Sequence, residues 1–180
     1  MVDTKSQPDP SVSRELADAR KVVVALNEHF DHVDLIAGNH EGRLLRALNS
    51  AIFPTDLLRL LDAQKWRVAP YYLSYVISGG QTFRVTHPKG SSESTAKRLA
   101  GRYQSHILMA HSHLWRMGMD ASGKWFTVTM GHCVDESRLA YVGQRDAPHD
   151  AHSLGAVIVR NGFPYLLGER TPWKEYAKMK

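Results

Sequence analysis

Val33-Asp34-Leu35-Ile36-Ala37-Gly38-Asn39-His40-Glu41 is the stretch on which the fold turns. Its first five residues read as a short apolar strand. Gly38 breaks that strand and places Asn, His and Glu on the following turn. Open α/β folds build their sites in this way, because the crevice lies beyond the carboxyl ends of the strands.

Working outward from this stretch, Leu16, Ala19, Val23, Leu26 and Phe30 recur at three- and four-residue steps. That spacing predicts a helix from Ser11 or Ser13 to about Phe30. Helix plus strand is the second half of a βαβ unit, and no strand-like stretch precedes the helix. Downstream, Glu41–Leu48 predicts a helix, and Thr55 reads as the cap of another over Leu57–Leu61. Tyr71–Ile77 and Thr82–Thr86 predict a hairpin turning on Gly79-Gly80. Thr95–Tyr103 predicts a short basic helix. His106–Ala110 reads as a buried strand, and strands at Leu114–Met117 and Trp125–Met130 flank a turn at Asp120–Gly123. Ala156–Arg160 and Pro164–Leu167 predict a final hairpin on Asn161-Gly162. Residues 1–10 read as a disordered lead-in, 11–170 as one α/β domain and 171–180 as a basic tail.

The composition narrows the function classes. No apolar run approaches the roughly 18 residues of a membrane span, and residues 1–10 lack the apolar core of a secretory signal. A single cysteine, Cys133, excludes an internal disulfide and fits a reducing cytoplasm. It is expected in the core. The net charge of +5 permits attraction to phosphates without specifying nucleic acid. Ten histidines are the more informative count, since histidine is the commonest metal ligand and a frequent acid–base group.

Three predicted strands run straight into such residues: Gly38-Asn39-His40, Thr86-His87, and Ala110-His111-Ser112-His113. An amide oxygen with several imidazoles suits a divalent ion such as Mn, Fe, Zn or Ni. Two ions about 4 Å apart clamp a phosphoryl group for in-line displacement. His29, His32 and His106 read as structural. His132, His149 and His152 read as loop residues, with a place in a substrate pocket as the alternative.

In Gly38-Asn39-His40-Glu41, then His87, then His111-Ser112-His113, the chain resembles the C-terminal portion of the calcineurin-like metallophosphoesterases. The motifs stand in that family's order, with Ala110 in place of its usual Gly. The family's earlier Asp-X-His and Gly-Asp-X-X-Asp motifs have no counterpart upstream of Gly38. The resemblance implies an α/β fold, a metallophosphoesterase-like β-sandwich flanked by helices and lacking its first strands. It implies that Asn39, His87 and His111 bind one ion and that His113 contributes to a second. His40 would contact the scissile phosphate and protonate the leaving group, with Asn39 and Arg43 beside the substrate. The expected function is hydrolysis of a phosphoester, a nucleic acid or nucleotide being one option, at an incomplete dinuclear site. Either the chain is a truncated reading of a longer gene or a partner chain completes the site. A homo-oligomer is expected, because missing strands leave a sheet edge open. The alternative is a non-catalytic scaffold or nucleic-acid-binding module on the same fold.

Overall fold

A computed structural model describes residues 12–39, 41–42, 46, 53–63, 65–69, 73–90, 92–133, 153–168 and 171–172. The chain divides into two compact units, 1–69 and 70–180. It is a mixed α/β protein. No described helix is long and apolar enough to cross a membrane.

The first unit holds α1 (Val12–His29), β1 (Asp34–Leu35), α2 (Pro54–Leu60) and β2 (Arg67–Val68). β1 and β2 pair in parallel. The α1 periodicity does its work at Val23, which is buried with Leu58 and Ala63 against Leu35, Trp66 and Val68. Phe30, at the end of the predicted apolar face, is instead exposed. Trp66 Nε1 donates to Asn27 Oδ1 at 2.7 Å, and Arg67 grips Asp34 with two hydrogen bonds of 2.9 Å. The α2 cap differs from the expected Thr55. Phe53 occupies that position, Pro54 opens the helix, and the Asp56 carboxylate accepts the Phe53 N–H at 2.7 Å. Proline favours the first helical position because its missing N–H has no intrahelical partner there.

The second unit holds β3 (Leu73–Ser78), β4 (Gln81–Thr86), α3 (Glu93–Tyr103), β5 (His106–Met109), β6 (Trp115–Met119), β7 (Phe126–Met130), β8 (Gly155–Arg160) and β9 (Phe163–Gly168). Five strands form one sheet in the order β3-β4-β5-β7-β6. Its three central strands, β4, β5 and β7, are mutually parallel, and the two edges are antiparallel. β8 and β9 form a separate antiparallel hairpin. Gly79-Gly80 and Asn161-Gly162 all have positive φ, as two-residue type I′ turns require. The backbones of these turns abut, leaving no room for a Cβ at Gly79, which would meet the Asn161 carbonyl carbon at 2.4 Å.

β5 is buried on both faces, so its sequence is continuously apolar after His106. Ile107 and Met109 pack under Ala96 and Ala100 of α3. Leu108 points the other way and joins Phe83 and Val128 beneath Val157, Val159 and Leu166 of the hairpin. The sheet is therefore a middle layer, with a helix on one face and a hairpin on the other. His106, expected to be structural, is so. It stacks on Phe83 at 4.7 Å, accepts the Phe126 N–H at Nδ1 and donates from Nε2 to Gln81. That pattern fixes a neutral ring, and burial pushes its pKa below the ordinary value. Cys133, expected in the core, is exposed. β7 ends at Met130, and Gly131 turns the chain away.

Candidate functional site

Parallel pairing brings the carboxyl ends of β4, β5 and β7 to one edge of the second unit. Register sets the alignment: Thr86 stands opposite Met109, and Met109 opposite Thr129. The residues just past these strands are His87, then Ala110-His111-Ser112-His113, then Gly131-His132. Four imidazoles thus leave three adjacent strands at one end of the sheet.

They come together in two pairs. His87 Nε2 lies 3.0 Å from His111 Nδ1, with ring centroids 4.9 Å apart. The rings of His113 and His132 lie 5.0 Å apart, tilted by 42°. The backbone that carries the middle two is strained. His111 has φ +81 and His113 has φ +57, both in the left-handed region. A non-glycine residue there costs on the order of 1–2 kcal/mol and persists only where surrounding structure imposes it.

The surrounding bonds are evident. Ala110 N–H donates to Thr86 O, and the buried Ser112 hydroxyl accepts the Leu114 N–H. Ser153 ties the second pair together, since its N–H donates to His113 O and its carbonyl accepts the His132 N–H. Gly155 N–H then donates to His132 O. Gly131, φ +71, permits this closure, because a Cβ would stand 2.6 Å from Ser153 O. Trp115 packs against the neighbouring hairpin. Its indole leaves no room for side chains at Gly155 and Gly168, where a Cβ would lie 2.6 and 3.0 Å away.

The first pair fits a divalent ion on distance. Imidazole nitrogens bind such ions at about 2.0–2.1 Å, so two ligands at a right angle stand about 3.0 Å apart. The same spacing serves a hydrogen bond between neutral rings. Among the described residues, no group of three His, Cys, Asp or Glu side chains is placed to hold an ion. The pair is thus a partial ligand set.

The other expected site residues fall elsewhere. Asn39 lies in the first unit, in the turn after β1. Asn39, Glu41, Gly42 and Arg46 are helical there. Gly38 N–H donates to Glu41 Oε2 at 2.7 Å, so Glu41 caps the turn. An acid at that place also complements the helix dipole. His40 and Arg43 lie outside the described residues, as do His149 and His152.

No protein-family model, curated protein sequence or solved structure matches the chain.

His132, read from the sequence as a loop residue with a place in a substrate pocket as the alternative, stands at this same end of the sheet. Met130-Gly131-His132 repeats the form of Met109-Ala110-His111, an apolar strand, a small residue, then His. That repetition was the available signal. It acquires meaning only once β7 is known to lie parallel beside β5.

Proposed function

We propose that the histidine-bearing strand ends hold divalent cation and that the protein is a metal-dependent phosphoester hydrolase of the calcineurin-like type. The observation that carries the reading is the approach of His87 Nε2 to His111 Nδ1, 3.0 Å apart at the ends of adjacent parallel strands. The order of Gly38-Asn39-His40-Glu41, His87 and His111-Ser112-His113 supports it. So does a mixed sheet covered on one face by a hairpin, part of what a metallophosphoesterase-like sandwich needs.

A bound divalent ion would supply electrophilic pull on the phosphoryl oxygens. His87 and His111 would hold it through ring nitrogens already at ligand spacing. The strained 111–113 turn fixes the direction of the His111 ring before substrate arrives, which lessens the reorganisation left for the bound state. In the hydrolysis itself, water oxygen bonds to phosphorus, the ester P–O bond breaks, and the leaving oxygen takes a proton. The resemblance gives that proton to His40 and a ligand role to Asn39. The family's bridging carboxylate has no counterpart in the sequence, so turnover by this chain is expected to be low.

The test is hydrolysis of bis(p-nitrophenyl) phosphate and p-nitrophenyl phosphate by residues 1–180 with Mn²⁺. Slow hydrolysis that disappears in His111→Ala and His40→Ala, with folding unchanged by circular dichroism, supports the reading. Equal rates in wild type and both variants sink it. One feature favours a second reading, a non-catalytic scaffold or nucleic-acid binder. No Asp-X-His or Gly-Asp-X-X-Asp stands upstream of Gly38 in the sequence. That reading expects no bound ion and salt-dependent binding to DNA or RNA.

A further inference from the structure

We infer that His113 and His132 form a second cation-binding pair, in which the end of β7 supplies a ligand that the sequence motifs do not contain. The inference rests on the reading that these strand ends hold divalent ions, and it deepens that reading by assigning His132.

Two observations carry it. The first is ring spacing. For an ion about 2.0–2.1 Å from an imidazole nitrogen, the centroids of two rings sharing it lie about 4.5–5.2 Å apart, from right-angled to tetrahedral arrangement. The His113–His132 separation is 5.0 Å, against 4.9 Å for His87–His111. The two pairs therefore have the same spacing, and they stand at one end of one sheet.

The second is how the backbone holds the rings. Ser153 bonds both main chains, to His113 through its N–H and to His132 through its carbonyl. Gly131 has the one side chain that lets Ser153 approach so closely. Ser112, between the strained His111 and His113, is buried and spends its hydroxyl on Leu114 N–H. The parallel bridge between His132 and Leu154 and the Ser153 bond to His113 fix both main chains, as a ligand pair needs, because rings must be held to within fractions of an ångström to bind metal tightly.

The ligand is a borderline divalent cation of the Zn, Co, Ni or Mn type, since both donors are neutral imidazoles. With two imidazoles and no carboxylate among the described residues, the site should bind more weakly than a full ligand set.

Titration of full-length 1–180 with Co²⁺, followed by visible absorption and by bound metal after desalting, tests the assignment. Wild type should bind two equivalents. His132→Ala should weaken one equivalent by about 100-fold, at or above what loss of a second-shell partner costs, and leave the other. His87→Ala should weaken the other. Because His132→Ala also removes the ring contact with His113, His132→Cys is made in a Cys133→Ser background. A thiolate-to-cobalt charge-transfer band in that variant requires direct ligation and cannot arise from packing. Unchanged stoichiometry and affinity in His132→Ala, or no such band in a folded His132→Cys protein, overturns the inference. In that case hydrolysis lost in His111→Ala would still support the proposed function. Conversely, two equivalents of Co²⁺ with one lost in His132→Ala, but no hydrolysis, would uphold the second pair and defeat the hydrolase reading.

Discussion

The turns after β1 and β5 are built in opposite ways. After β1, Gly38 hands its N–H to the Glu41 carboxylate, and a helix begins. The arrangement is local: acceptor and donor are three residues apart, and the side chain that serves it stabilises it. After β5, His111 and His113 both sit at positive φ, and the bonds that hold them come from Thr86, Ser153 and the 131–132 segment. The turn is strained by its own residues and stabilised by distant ones. A capped turn can form wherever its sequence occurs. A strained turn exists only inside its fold, and strain of this kind gathers where side chains must be aimed rather than merely accommodated.

The sharpest way to break that contrast is to remove a ring from the strained turn. His111→Ala is expected to lower phosphodiester hydrolysis by about 100-fold or more, while the urea midpoint barely moves. A large loss of stability with activity per folded molecule preserved would mean that His111 is structural.

Next in size is the support beneath the turn. Gly131→Val sets a branched side chain at φ +71, against Ser153 O. It should destabilise the second unit by roughly 2–3 kcal/mol and release bound Co²⁺, read by urea unfolding and metal titration. An equivalent response to Gly123→Val, whose Cβ would meet open space at φ +68, would show that backbone strain alone, and not Ser153, sets the cost.

The two turns should also answer with opposite signs. His113→Gly relieves a left-handed histidine and is expected to raise stability by about 0.5–1 kcal/mol while weakening cation binding. Glu41→Ala removes a cap and should lower stability by about 1 kcal/mol. If both substitutions destabilise, the backbone at His113 stores no strain that glycine relieves.

The smallest effect is expected in acid. Burial holds the His106 ring neutral, with its pKa below the ordinary 6.5. The unfolded chain then takes up a proton that the folded chain refuses. The contribution of His106 to stability is therefore complete above about pH 6.5 and declines as pH falls toward its folded value. Amide exchange at Ile107 and Leu108 should quicken between pH 7 and pH 5.5 relative to its intrinsic rate. Exchange at Leu35, in the other unit, should not. His106→Gln should flatten the difference, and parallel changes at both strands would remove the assignment to His106.

Asp120 illustrates local legibility. Asp120-Ala121-Ser122-Gly123 reads as a turn, and its carboxylate binds itself into that turn. It accepts the N–H groups of Ser122, Lys124 and Trp125 and the Ser122 hydroxyl. Burial alone would raise its pKa, but these hydrogen bonds outweigh that and hold it low. Both hairpins were equally plain, because Gly79-Gly80 and Asn161-Gly162 accept the positive φ that a type I′ turn demands. Where the structure departs from these readings, a residue one or two positions away overrides the local signal. Phe53 rather than Thr55 caps α2 because Pro54 takes the first helical place. Cys133 is exposed because Gly131 ends the run of β7.

The sequence by itself determined the hairpins, the α1 and α3 periodicity and the identity of the residues after each strand, since all of these depend on neighbours within a few positions. His87, His111 and His113 were visible as strand-end residues for the same reason. Only the tertiary structure decided that β7 lies between β5 and β6, so that His132 joins them. Parallel pairing links strands separated by a crossover, and its register is set by faces packed under α3 on one side and the β8–β9 hairpin on the other. No short stretch of chain encodes that choice, because the free energy that selects it comes from burying both faces of β5 at once.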